Sequence, residues 1–166
     1  WATYIVRQTP EVQYYDFQAA AYAADASTDM VFLPLINGDV PAGNYTIPSG
    51  VTLLIPYEGS YKNAENEPDW YDDNSAVAPS PFRTLTLAAG VEISVHGAIN
   101  VNAKLRSLQY TNGAQSGKSG MINMQEGSTI TLNSGANLYC WGIIYGKGEI
   151  TANSGATVYE SFQVND

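Results

Sequence analysis

Short runs of alternating apolar residues, each centred on a glycine, dominate the last third of the chain. Around Gly127, Ile122 and Met124 come five and three residues earlier, and Ile130 and Leu132 come three and five residues later. Because successive side chains of a strand point to opposite faces, each run predicts a short strand with one buried face. The glycine between two runs predicts a bend that a side chain would obstruct. The same template fits four further glycines: Gly50, Gly90, Gly135 and Gly155.

A chain that bends in the same direction after every short strand forms a coil. Gly135 and Gly155 are twenty residues apart, which suits one turn of a β-helix, and repetition at this scale is typical of solenoids. An antiparallel sandwich is the alternative, but it predicts hairpin dipeptides, and Asn112-Gly113 is almost the only one in the sequence. We therefore predict an all-β fold, a single-stranded parallel β-solenoid over residues 30–166.

The alternation also predicts which side chains line the interior of the solenoid. Cys140, the only cysteine, falls in the slot that Val95 fills in the Gly90 copy, so we expect a small buried hydrophobe rather than a reactive thiol. Glu160 is the one charged residue among the slots of the five copies. The predicted interior comprises Leu53, Ile55, Leu85, Leu87, Ile93, Val95, Ile122, Ile130, Leu132, Leu138, Cys140, Ile150 and Val158.

The N-terminal part differs in pattern from the repeats. Residues 1–15 alternate loosely around Pro10 and predict an extended arm that pairs with an edge. Residues 16–29 predict a short helix, which Asp16 caps and which carries an apolar stripe from Phe17 to Ala24. A helix in this position would cover the open end of the first coil and keep its apolar interior from water.

Between the predicted coils, residues 57–82 lose all periodicity, and residues 108–119 form a second loop rich in glycine and serine. The first of these excursions carries aromatic residues among acids and amides: Tyr57, Tyr61, Trp70 and Tyr71. Aromatic faces stack on sugar rings, so a carbohydrate-binding surface is one hypothesis, and Trp141 would extend it. The other is that these rings pack over the coil or against a neighbouring subunit.

The same excursion holds a group of carboxylates, namely Glu65, Glu67, Asp69, Asp72 and Asp73. Carboxylate oxygens are the ligands that calcium prefers, and calcium is therefore the one metal the sequence suggests. The spacing of an EF-hand is absent, so a solvated acidic loop is the alternative. No other cofactor is predicted.

The charge balance limits the partners. Seven basic and sixteen acidic residues give a net charge of −9 at pH 7, which disfavours nucleic acid and anionic lipid. No run approaches the roughly eighteen apolar residues of a membrane span. His96 is the only histidine, and it is expected on the surface beside Gly97. No catalytic constellation can be assembled from it, and we expect no enzymatic activity.

Three segments carry a resemblance to known proteins: NYTIPSGVTLLIPY, TLTLAAGVEISVHGAINVNA and SGANLYCWGIIYGKGEITANSGATVYESFQV. They resemble the glycine-punctuated β-solenoid regions of secreted and surface-anchored bacterial proteins, particularly large proteins of gut bacteria. The resemblance implies a right-handed coil, as does the general bias of parallel crossovers. It also implies an extracellular or cell-surface location and a structural role as a stalk, adhesin repeat or filament subunit.

Some related β-helices degrade polysaccharides, so a calcium-dependent lyase is a further alternative. Such enzymes use a basic residue, and Arg83, Lys104 and Arg106 are the candidates considered for that role. Nothing in the spacing of these three residues favours that chemistry, and a fold alone does not determine an activity.

The C-terminal residues predict self-association. Residues 156–166 show no helix comparable to the N-terminal one, so the last coil needs a partner for its backbone groups and apolar interior. In a longer protein the next repeat would supply this partner. In a free subunit we expect the arm of a second copy, residues 1–9, to add to this edge, a head-to-tail contact that grows filaments. The residues assigned to the junction are Trp1, Tyr4, Val6, Tyr159, Phe162 and Val164.

Overall fold

A computed structural model of the chain describes residues 4–6, 12–26, 30–34, 38–56, 84–102 and 120–160. Within these ranges the chain forms one short helix and fifteen strands, and the predicted all-β class is confirmed. The elements are β1 (Tyr4–Val6), β2 (Val12–Tyr14), α1 (Phe17–Asp25), β3 (Val31–Pro34), β4 (Gly38–Val40), β5 (Gly43–Ile47), β6 (Thr52–Ile55), β7 (Thr84–Leu87), β8 (Val91–Val95), β9 (Ala98–Val101), β10 (Met121–Met124), β11 (Thr129–Leu132), β12 (Asn137–Cys140), β13 (Ile143–Gly146), β14 (Glu149–Ala152) and β15 (Thr157–Glu160).

The strands from β4 onward alternate among three parallel sheets. Sheet 1 contains β4, β7, β10 and β13, sheet 2 contains β5, β8, β11 and β14, and sheet 3 contains β6, β9, β12 and β15. The chain therefore visits the three sheets in the same order four times, and each strand pairs with the strand one coil earlier. This parallel stacking is the arrangement of a β-solenoid and confirms that part of the prediction.

Equivalent positions of successive coils form apolar columns inside the stack. In sheet 2, for example, Ile47 pairs with Val95, Val95 with Leu132, and Leu132 with Ala152. Ten of the thirteen side chains predicted for the interior are at most 2% exposed: Leu53, Ile55, Leu85, Leu87, Ile93, Val95, Ile122, Ile130, Leu132 and Leu138. The other three, Cys140, Ile150 and Val158, are only partly covered.

The predicted glycine hinges lie at two different corners rather than at one repeated corner. Gly90 and Gly127 turn the chain from sheet 1 to sheet 2, whereas Gly50, Gly135 and Gly155 turn it from sheet 2 to sheet 3. All five have φ between +85° and +94°, a conformation that costs a residue with a Cβ about 1–2 kcal/mol. For this reason Cys140 lies opposite Val101 in the ladder and not in the column of Val95, as the superposed copies had suggested.

The corner between sheet 3 and sheet 1 varies most in length from coil to coil. Two residues, Trp141 and Gly142, connect β12 to β13, whereas the predicted excursions at 57–82 and 108–119 fall between β6 and β7 and between β9 and β10. These excursions lie outside the described residues. The backbone on either side of the second is tied together, because the Gly120 N–H donates to the Asn102 carbonyl at 2.8 Å.

The helix begins where the sequence predicts. The Asp16 side chain accepts a hydrogen bond from the Ala19 N–H at 2.9 Å and so caps the first turn. Phe17, Ala20, Ala21 and Ala24 form the buried stripe, and the helix packs against β1, β2, β3 and β5.

The segment predicted as an arm is part of the fold. β1 pairs antiparallel with β3, and β2 pairs antiparallel with β1, so both strands extend sheet 3 beyond its first parallel strand. Sheet 3 therefore has seven strands, with β2 at one edge and β15 at the other.

Candidate functional site at the two ends of the coil stack

Many of the residues predicted for a site lie outside the described residues, and their assignments stay predictions. They are the aromatic residues Tyr57, Tyr61, Trp70 and Tyr71, the carboxylates Glu65, Glu67, Asp69, Asp72 and Asp73, the basic residues Arg83, Lys104 and Arg106, and the junction residues Trp1, Phe162 and Val164. The described candidates gather at the two ends of the coil stack and along the outer face of sheet 3.

The C-terminal end exposes side chains that belong to the apolar interior. Ile150 pairs with Ile130 in sheet 2, and Val158 pairs with Leu138 in sheet 3, so both occupy interior slots. Ile150 and Val158 are nevertheless each 40% exposed, because no strand among the described residues continues the stack beyond β14 and β15. The apolar side chains of the interior columns are therefore more exposed in this last coil than in the coils before it.

Three exposed aromatic side chains lie near this end: Trp141, Tyr145 and Tyr159. The ring of Tyr159 stacks on that of Tyr139 one coil earlier, with centroids 4.9 Å apart and planes 6° apart. Trp141 lies at the third corner, where its backbone N–H donates to the Val101 carbonyl at 3.0 Å. Tyr159 is therefore preorganised at the outer edge of the last coil, in the region predicted for the junction.

At the N-terminal end, by contrast, the side chains of β1 and of the buried stripe of α1 belong to the core. Tyr4 and Val6, predicted for the junction, are 2% and 0% exposed within the chain's own core, so this strand is not available to a second copy. The Tyr4 ring packs edge-on against Phe17 at 5.6 Å, and Phe17 against Phe32 at 5.2 Å. Burial, followed by the negative field of neighbouring acidic and phenolic groups, raises the pKa of Tyr4 far above its usual value.

The helix also covers the edge of β5. The Gln18 amide donates from Nε2 to the Thr46 carbonyl and accepts at Oε1 from the Thr46 N–H, both at 2.7 Å. The side chain thus offers a strand edge the two hydrogen bonds that a neighbouring strand would supply. Sequence reasoning missed this role, because a partly buried glutamine on a helix has no local signal that names its partner.

The outward surface of the N-terminal end has little polarity. Among the nine residues of α1, FQAAAYAAD, only Gln18 and Asp25 are polar. Tyr22, 56% exposed, and the exposed Ala19 lie on the side of the helix away from its buried stripe. A helix that is apolar on all sides is usually buried on all sides, so this outer face is a second candidate contact surface.

Cys140 is half-buried beside this C-terminal coil. Burial, and secondarily the nearby Glu160 carboxylate, raises the pKa of its thiol, so the protonated form is favoured. Its Sγ lies 3.8 Å from the Gly142 carbonyl oxygen. The expectation of an unreactive cysteine agrees with this environment, although the thiol is less buried than predicted.

Two kinds of feature are absent from the described parts of the chain. No group of three or more His, Cys, Asp or Glu side chains there is placed to hold a metal ion. The same described residues contain no helix that is long and apolar enough to cross a membrane.

No protein-family model matches the chain, and neither does any curated protein or solved structure. We therefore infer its function from its own residues.

Proposed function

We propose that the chain is a non-enzymatic structural module whose copies stack head to tail through the two free edges of sheet 3. The observation that carries this proposal is the direction of the edge strands. β1 is antiparallel to β3, and β2 is antiparallel to β1, so two reversals give β2 the same direction as β3. β15 also has this direction, because every later strand of the sheet is parallel to the one before.

A second copy placed beyond the C-terminal end would therefore pair its β2 with β15 in parallel. Each coil inside the module already uses this parallel pairing, so the junction needs no new geometry. The strand that meets the neighbour is thus β2, with Val12 37% exposed, rather than the buried strand from Tyr4 to Val6 that the sequence suggested. Pairing of unlike edges does not close on itself and produces a filament.

The apolar surfaces of the two ends support the same orientation. The interior slots of the last coil, at Ile150 and Val158, need a cover that excludes water. The outer face of α1, with Ala19 and Tyr22, needs an apolar neighbour. In a head-to-tail stack, α1 lies between the interior of its own coils and the last coil of the preceding copy. This one contact covers both the outer face of α1 and the open slots at Ile150 and Val158.

We propose further that α1 and the β1–β2 pair cap the first coil, and that the coil is right-handed. In keeping with the resemblance to bacterial surface solenoids, the setting we propose is extracellular, with the stacked module serving as a filament or stalk.

Two single substitutions test the orientation of the contact. Val158→Lys places a charge in the open interior slot of the last coil, and Tyr22→Lys places one on the outer face of α1. We expect each variant alone to stay monomeric in sedimentation velocity at concentrations where the wild type forms a ladder of larger species. When the two variants are mixed, the intact N-terminal end of the first binds the intact C-terminal end of the second, so a dimer forms and growth stops there.

Gln125→Lys is the matched control, because it adds the same charge at an exposed corner in the middle of the stack and should leave assembly unchanged. Dimers formed by Tyr22→Lys alone would instead mean that two C-terminal ends meet. A wild-type chain that stays monomeric across the whole concentration series would refute the proposal.

A further inference from the structure

One corner of the solenoid is shorter than its neighbours. Between sheet 2 and sheet 3, five residue steps separate Ile47 from Thr52 in one coil and Leu132 from Asn137 two coils later. In the coil between them, only three steps separate the equivalent residues, Val95 and Ala98. Two residues are therefore missing from this corner, and only His96 and Gly97 connect β8 to β9.

The short corner lies tightly against the preceding coil. A Cβ on Gly97 would collide with the carbonyl oxygens of Val51 and Pro48, so this position accepts only glycine without movement of the backbone. The His96 N–H donates to the Ile47 carbonyl at 2.9 Å and the Ala98 N–H to the Val51 carbonyl at 2.9 Å. The shortened corner is thus a fixed part of the ladder.

Because the corners on either side extend further out, the short corner leaves an open cleft between them. The tips around Gly50 and Gly135 form its two walls, and its volume is about 290 Å³. This lies just below the range of small-molecule sites, which runs from about 300 to 1,000 Å³. The cleft has room for a single ring-sized ligand.

Among the described residues, the side chains that line the cleft include no carboxylate, lysine or arginine. The polar ones are Ser49, Thr52, His96, Asn137 and Tyr139. Hydroxyl, amide and imidazole groups all form hydrogen bonds, and the hydroxyl groups of a sugar can both donate to them and accept from them. The net charge of −9 further disfavours an anion.

Tyr139 supplies an apolar surface to the same cleft. Tyr159 covers one face of its ring, at a centroid distance of 4.9 Å, and holds the ring in place. On the other side the ladder places Asn100 of β9, a short side chain. Tyr139 also lines the cleft, and an aromatic side chain in a polar cleft suits the C–H face of a pyranose.

We propose that this cleft, which we call the short-corner cleft, binds one neutral hexopyranose unit, with the sugar stacked on Tyr139 and its hydroxyls bonded to Thr52, His96 and Asn137. The site lies on the side of the stack, away from the interior slots at its ends, so its occupancy is independent of head-to-tail assembly.

Saturation-transfer difference NMR tests this directly, because it observes the ligand whether the protein is monomeric or assembled. The probes are D-glucose, D-galactose, D-mannose and N-acetyl-D-glucosamine, with N-acetylneuraminic acid as the anionic comparison. We expect saturation transfer to at least one neutral sugar. In Tyr139→Leu, which removes the aromatic ring, we expect the dissociation constant for that sugar to be about tenfold larger. Tyr145→Leu is the control, since Tyr145 is an exposed tyrosine that neither lines the cleft nor touches the Tyr139 ring, and it should change the constant little.

A second variant fills the cleft and leaves its two walls unchanged, although it removes the lining side chain of His96 between them. In it the corner Asn133-Ser134-Gly135-Ala136 replaces His96 and Gly97, which gives the short corner the length of its neighbours. We expect wild-type circular dichroism and no saturation transfer. The proposal would be overturned if no neutral sugar showed saturation transfer, or if N-acetylneuraminic acid alone did. Equal saturation transfer in the wild type and in a folded filled variant would also overturn it. If the filled variant does not fold, an unchanged dissociation constant in Tyr139→Leu overturns the proposal.

Discussion

Ile130 and Ile150 offer a comparison of one side chain in two degrees of burial. They pair with each other in sheet 2 and occupy the same interior slot of successive coils. Ile130 is 0% exposed and Ile150 is 40% exposed. Replacing each in turn by alanine removes the same atoms from the same column, so the difference between the two losses measures how far the last coil is covered.

The expected losses follow from the burial. Ile→Ala removes three carbon groups, worth about 2.4 kcal/mol at about 0.8 kcal/mol each when fully buried. At Ile130 a closed cavity adds to this, giving about 3–4 kcal/mol. At Ile150 only about three-fifths of the transfer energy is lost and the space opens to solvent, giving about 1.5 kcal/mol. At about 2–4 °C per kcal/mol, the expected decreases in Tm are roughly 10 °C and 4 °C.

The measurement is urea unfolding followed by circular dichroism at high dilution, with the slope m compared between variants so that only midpoint shifts at equal m are used. The same series is then repeated at concentrations where copies assemble. There we expect the loss at Ile150 to rise towards that at Ile130, because the neighbouring copy now covers the slot. Equal losses at high dilution would show that the last coil is closed within one chain and would refute this reasoning.

Three further substitutions probe single features, each by thermal or denaturant unfolding. Gly135→Ala should lower the free energy of unfolding by about 1–2 kcal/mol because of its φ of +88° alone, since a Cβ there would meet nothing within 4 Å. Gly135→Asn should lower it less, because asparagine tolerates this conformation. Equal losses in the two variants would point to crowding instead. Gln18→Leu should cost about 1–3 kcal/mol, because it leaves the N–H and carbonyl of Thr46 without their 2.7 Å partners, and a loss near zero would mean that water replaces them. Burial raises the pKa of Tyr4 in the folded state above its unfolded value of about 10, so the contribution of Tyr4 to the free energy of unfolding is complete below about pH 10 and decreases as the pH rises further. Tyr4→Phe should remove this part of the decrease in stability at alkaline pH. An unchanged pH profile of stability would mean that other groups cause the decrease.

The interior of the solenoid could be predicted from sequence because its signal is local. The side chains of a strand alternate between its two faces with period two, and a bend with positive φ favours glycine. Both signals occur within the eleven residues from Ile122 to Leu132, around Gly127. The length of one coil follows from the distance between Gly135 and Gly155. These local rules carry the fold class and most of the core.

What sequence reasoning missed depends on partners far apart in the chain. Nothing within residues 1–15 shows that β1 pairs antiparallel with β3, so the segment was interpreted as an arm available to another molecule. The two corners use the same glycine turn, and only the order of the sheets distinguishes Gly90 from Gly135. The short-corner cleft has a signal, the spacing of Val95 and Ala98, but it becomes visible only when that coil is aligned with its neighbours.

The corner between sheet 3 and sheet 1 makes the molecule a natural display scaffold. The described residues end at this corner at Pro56 and at Asn102, on consecutive coils, and begin again at Thr84 and Gly120 with the parallel ladder intact. Since neighbouring strands are about 4.8 Å apart, these attachment points form a row whose spacing is set by the backbone of the ladder. Trp141 and Gly142 mark the next position in that row, and a peptide grafted between them would extend it by one more rung.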